Sequence, residues 1–134
     1  MPTVKVKSKS YVNVPGLVQL LDDIKTQYDV LGGAVEKVHA MPKQGVSSSF
    51  TFGVSFGQLL GVLAGVGLRH DLVTPNAWTK VVFAGQVKGD KGAGRKLVLN
   101  LFPEQSGLFA RVKDHNRADA VLIAEWLRRR ELGT

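Results

Sequence analysis

Three residues stand where side-chain chemistry is easiest to build. Glu36 closes the apolar run Val30 to Val38, and in an open α/β sheet the carboxyl end of a strand is where ligand sites form. A plainer reading stands beside that one, an acid paired with Lys37 or Lys80 at a strand end. Asp119 lies three, four and seven residues before Leu122, Ile123 and Trp126. On a helix it shares their inward stripe, and an inward carboxylate needs a partner. His115 precedes Asp119 by one helical turn, so the two side chains can converge. Ordinary capping accounts for the same pair, with Asp114 or Asn116 as N-cap and Asp119 as an acid in the positive first turn.

The elements that must hold these residues follow from hydrophobic spacing. Thr3 to Lys7 alternates β-branched and cationic residues, the pattern of an edge or surface strand. Asn13 and Pro15 open a helix whose Leu17, Leu20, Leu21, Ile24 and Tyr28 form one stripe. Val30 to Val38 is apolar on both faces, as in a buried parallel strand. Phe50 to Leu68 carries no charge and has Gly53, Gly57, Gly61 and Gly65 at every fourth position. A membrane span needs about 20 apolar residues and uses such glycines for packing. With Thr51, Ser55 and Gln58 in the stretch, the better expectation is a buried soluble helix, N-capped by the serines at 47 to 49.

His70 to Thr74 reads as a second buried strand, which completes a right-handed βαβ unit. Pro75 ends it, and a short helix carries Trp78 and Lys80. Gln86 to Arg95 is a basic, glycine-rich loop before a helix from about Lys96 to Phe102, ended by Pro103. Glu104 to Lys113 reads as a loop or extended piece. The last helix, about Asn116 to Leu132, turns Leu122, Ile123, Trp126 and Leu127 inward and Glu125 and Arg128 to Arg130 outward. The expectation is one α/β domain over residues 1–134.

Composition bounds the class. A chain of 134 residues, 44% hydrophobic and 22% charged, can bury a core of its own, which excludes a disordered tail. No cysteine is present, so disulfides, thiolate metal sites and cysteine nucleophiles are excluded, and a reducing, cytoplasmic setting is expected. The basic start lacks the apolar core of a signal peptide. A formal charge of +7 suits a polyanionic partner without identifying one.

The chain order is more specific than any one residue. A carboxylate closes a strand, a βαβ crossover follows, then a Pro-x-x-Trp segment, a basic glycine loop, and a helix opening Asp-His-Asn-Arg-Ala-Asp-Ala. The stretches VEKVHAMPKQGVSS, TPNAWTK and DHNRADAVLIA resemble the RuvC-like Holliday junction resolvases of the RNase H-like superfamily, in their phage and plastid-type branch. The resemblance runs from about Met1 to Leu132. It implies an RNase H-like (RuvC-type) fold and a homodimer, or higher even oligomer, that binds four-way DNA junctions. The family nicks them with two Mg2+ or Mn2+ ions, and no membrane is involved.

By that resemblance Glu36, His115 and Asp119 are catalytic metal ligands, with Asp114 a substitute or partner for His115. Lys80, Lys88, Lys91, Arg95 and Lys96 contact DNA phosphates, or else form a solvated basic surface. Phe50, Phe52 and Phe56 include a candidate stacking wedge, beside their plainer role as core. One departure matters: the family's first strand, with G-[IL]-D-x-G and the central aspartate, has no counterpart here, so the fold is expected to be N-terminally truncated. The leading expectation is a junction-resolving endonuclease core, catalytically incomplete as it stands. The alternative is an inactive nucleic-acid-binding or assembly protein of the same fold.

Overall fold

The computed structural model describes residues 1–6, 9–38, 42–84 and 92–133. They form a mixed helix and strand architecture that divides into two compact units. One comprises Met1–Gly33 with Val38–Asp71, the other Ala34–Lys37 with Leu72–Thr134.

The first unit begins with a hairpin. Strand β1 (Thr3–Val6) pairs antiparallel with β2 (Lys9–Val12), Val4 opposite Tyr11 and Lys5 opposite Ser10. β2 was not expected from the sequence. The linking residues, Lys7 and Ser8, offer no glycine, asparagine or aspartate, the usual signal of a tight hairpin. Helix α1 (Val14–Gln27) starts as expected: the Asn13 side chain accepts from the Gly16 N–H at 3.1 Å, with Pro15 in the first turn. Its stripe is narrower than predicted, because Leu17 is buried but Leu20 and Tyr28 face outward.

Helix α2 (Val46–Gly65) packs on α1 and β2 through Val62, which joins Val12 and Leu17 in a small core flanked by Val14, Val18, Leu21, Leu59 and Val66. Lys25, in the last turn of α1, donates to the Val66 carbonyl. Here the structure corrects the sequence reading. Only Val62 and Leu63 of the twenty residues of α2 are buried, and a Cβ added at Gly53, Gly57, Gly61 or Gly65 would meet nothing within 4 Å. Among the described residues the helix is therefore mostly exposed, not buried. Nor do the serines cap it: α2 starts at Val46 after Gly45, with no side-chain cap bond, and Thr51 Oγ1 donates back to the Ser47 carbonyl at 3.0 Å. Among the described residues α2 is the helix long and apolar enough to cross a membrane, by length and composition alone.

The βαβ expectation holds in outline, but the strands are not buried as expected: β3 is half-buried throughout, and in β4 Val73 alone is buried while Leu72 is exposed. β3 (Gly33–Glu36) and β4 (His70–Val73) form a two-stranded sheet. Gly33 N–H donates to Arg69 O at 2.8 Å and Lys37 N–H to Val73 O at 2.7 Å. The two bonds keep the same sequence offset, so the strands run parallel. Each strand has one neighbour among the described residues.

In the second unit, helix α3 (Pro75–Val82) is capped by Thr74, whose hydroxyl accepts from Ala77 N–H at 3.2 Å. Helix α4 spans Gly92–Leu101, starting four residues earlier than expected. Gly92, Ala93, Gly94 and Arg95 are therefore helical and not loop. The 3-10 turns Pro103–Phe109 and Val112–Asp114 stand where a loop or short extended piece was expected. Helix α5 (His115–Leu132) ends at Gly133 in the left-handed conformation that glycine permits, φ 71°. Its Ala118, Leu122 and Ile123 pack with Val73, Trp78, Val82, Val98 and Phe109 in the unit's core. On its outer face Glu125 accepts from Arg128 and Arg129, while Arg130 lies 4.8 Å from the Trp126 ring centre.

Candidate functional site

Glu36 is placed by β3 and held by α3. The Lys37–Val73 bond fixes the end of the strand, and the Thr74 cap turns the chain straight into α3. Trp78 thereby enters the core, 1% exposed, with its indole N–H near the strand end. A buried indole N–H needs an acceptor, and Trp78 Nε1 donates to Glu36 Oε2 at 2.6 Å. Such a bond to a carboxylate is about twice as strong as a neutral one. The cations weighed as partners, Lys37 and Lys80, are both exposed. Sequence reasoning singled out the Pro-x-x-Trp segment without its role: Trp78 is the group that orients the half-buried Glu36.

The start of α5 carries the other acids. Asp114 is 5% exposed, and its Oδ2 accepts from Arg111 N–H at 3.0 Å and from Arg111 Nε at 3.4 Å. Its Oδ1 accepts from Arg111 Nη2 at 3.1 Å and lies 4.0 Å from Arg117 Nη1. The Arg111 side chain, then its backbone N–H, hold this carboxyl below its ordinary range against the opposing effect of burial. Asp114 occupies the N-cap position of α5 but makes no side-chain cap bond to it, because the carboxylate turns back to Arg111. His115 Nδ1 lies 3.3 Å from Val112 O. Asp119 points inward as the stripe requires. It lies against the first turn of α4, so close that a Cβ at Gly94 would sit 2.6 Å from its Oδ1.

These placements test the divalent-cation reading. Hard cations want several oxygen ligands around one point. No three His, Asp or Glu side chains meet that condition among the described residues. Glu36 is turned to Trp78, Asp114 to Arg111, and Asp119 to α4. Glu36, His115, Asp119 and Asp114 as arranged therefore do not fit a two-metal centre by themselves.

The basic candidates separate. Lys80 on α3 and Lys96 on α4 are exposed. Lys88 and Lys91 lie outside the described residues. Arg95 sits on α4, half-buried, and its Nη1 donates to the carbonyls of Phe109 and Ala110, each at 3.2 Å. Its Nε is buried without a hydrogen-bond partner among the described residues. Sequence reasoning missed Arg111 and Arg117. The signal was present, since both stand three residues from Asp114, a spacing that suits ion pairs around a turn.

No protein-family model matches the chain. A curated protein does: Holliday junction resolvase MOC1, chloroplastic, of Chlamydomonas reinhardtii is 35% identical over 96 residues, 72% of this chain. The match spans 11% of the length of that relative. The chain is thus a relative of the plastid-type Holliday junction resolvases, the relationship that its three motifs predict.

Proposed function

We propose that this chain binds four-way DNA junctions as an RNase H-like, RuvC-type module. The observation that carries this reading is its 35% identity with a junction resolvase over most of its length. The parallel β3–β4 pair with Glu36 at its end, and the +7 charge of the sequence, support it. Two copies, or a higher even number, associate through the exposed face of α2, where four glycines permit close approach. The cysteine-free sequence suits a reducing compartment, and the cytoplasm is the proposed location.

The contribution of the described residues is recognition. In the complete family Mg2+ or Mn2+ would supply the hydrolytic chemistry, whereas no three His, Asp or Glu side chains converge on one point among the described residues. Fluorescence anisotropy with a labelled synthetic four-way junction and an equimolar duplex tests the reading. Junction binding tighter than duplex binding, falling steeply with salt, is expected, and no strand cleavage when Mg2+ is added. Equal affinity for junction and duplex would remove the junction assignment. Cleavage abolished by Glu36→Gln would show a working metal centre.

A further inference from the structure

The turn before α5 gathers basic side chains. Arg111, Lys113 and Arg117 fall within seven positions, with Asp114 the only acid among them. The arginine side chains are 59% and 53% exposed, whereas Asp114 is 5% exposed. One buried carboxylate thus faces two outward guanidinium groups. Arg111 grips it through side chain and backbone. Arg117 lies beside it and also donates from Nη1 to Leu108 O at 3.0 Å. Lys113 is exposed, with no ion pair among the described residues.

Helix physics makes this arrangement costly for the protein alone. The N-terminal end of a helix carries positive partial charge, so stabilising cations belong at the other end. α5 nevertheless gathers three cations at its positive end and has no acid in its first turn. Asp114 cannot offset three charges. The remaining positive potential, on two arginines already held in place and an exposed lysine between them, suits an anion with several oxygens spaced along a surface. Guanidinium groups match phosphate oxygens in geometry and are weakly hydrated.

Resting on the proposed junction-binding reading, we propose that Arg111, Lys113 and Arg117 form a preorganised contact for the DNA phosphodiester backbone, with Asp114 as the positioning residue of the two arginines. The three residues lie outside the glycine-rich sequence Gln86 to Arg95. Because Asp114 acts by holding the guanidinium groups, its removal weakens DNA binding even though it makes the protein more positive.

The test compares salt dependence of junction binding in wild type, Lys113→Gln/Arg117→Gln, Asp114→Asn and a control, Lys5→Gln/Lys43→Gln, which removes two exposed lysines from the other unit. Each lost phosphate contact lowers the slope of log affinity against log salt by about 0.9. The Lys113/Arg117 variant should flatten it by about 1.8, and the control should leave it nearly unchanged. Asp114→Asn should bind several-fold more weakly than wild type at low salt. Thermal unfolding is recorded for each variant, and if Asp114→Asn does not fold, the exposed Lys113/Arg117 pair decides the matter. An unchanged slope in that pair, equal flattening in the control, or tighter binding by a folded Asp114→Asn would overturn the proposal while leaving junction binding intact. Absence of salt-dependent DNA binding by wild type would overturn the junction reading itself, and this contact with it.

Discussion

Replacing Gly94 by alanine sets two effects of known sign against each other. The substitution removes a glycine from α4, which by helix propensity alone stabilises by about 1 kcal/mol. Its backbone is not in the left-handed region, so alanine fits the local conformation. The new Cβ, however, would stand 2.6 Å from Asp119 Oδ1 and 3.5 Å from Leu122 Cδ1. The second contact is ordinary; the first cannot stand, so the carboxylate must move. Overpacking of this kind costs about 1–3 kcal/mol. The net expectation is destabilisation by about 0–2 kcal/mol in wild type. In an Asp119→Ala background the clash is gone and Gly94→Ala should stabilise by about 1 kcal/mol, roughly 4 °C in Tm for a chain of this size. Urea unfolding of the four proteins of this double-mutant cycle measures the difference directly. Equal effects of Gly94→Ala in both backgrounds would refute the placement of the Asp119 carboxylate on α4.

Trp78→Phe keeps most of the ring volume but removes the donor to Glu36; a charge-assisted bond of this kind is worth about 1.5–3 kcal/mol, and Glu36→Gln in the same background should add little further loss in urea unfolding. Glu125 is drawn down to about 2 by its hydrogen bonds to Arg128 and Arg129, so its stabilisation is complete above about pH 4.5 and is lost as pH falls toward 2. Because Arg128 is half exposed and water screens it, the effect is about 1 kcal/mol, and Glu125→Gln should flatten stability against pH in that window. Gly57→Leu or Gly61→Leu should reduce the mass measured by light scattering at micromolar concentration; a detergent-free monomer in wild type would count against assembly through α2.

What the sequence discloses here is what local physics decides. Asn13 and Thr74 each precede a proline-opened helix, and both are N-caps in the structure. The alternation of apolar stretches around α2 announces a parallel pair, and the stripe of α5 names Leu122, Ile123 and Leu127 of its buried residues, missing Ala118. Other features depend on partners distant in sequence. Arg95 looks like part of a basic surface, yet α4 begins early enough to aim it at the Phe109 and Ala110 carbonyls. Asp114 reads as a cap because its neighbours in sequence suit one, but two arginines claim it. The glycines of α2 promise a close neighbour, which the described chain does not provide. For the acids, sequence order carried the family relationship well. It did not reveal that the side chains of Glu36, Asp114 and Asp119 are each turned to a protein group.

The division of the chain has a bearing on how it comes to be folded. Ala34–Lys37 belongs with Leu72–Thr134, although the residues on both sides of it belong to the other unit. During synthesis, every segment of that other unit is complete once Asp71 has been made. Glu36, by contrast, must wait for an indole 42 residues further on, and for a core that closes only once α5 has emerged. Such late pairing carries the entropy of closing a long loop and slows folding relative to local helix formation. The carboxylate at the strand end is therefore synthesised well before the residues that lock it in place. A chain break between Asp71 and Leu72 would leave it on the wrong fragment, parted from the tryptophan that orients it.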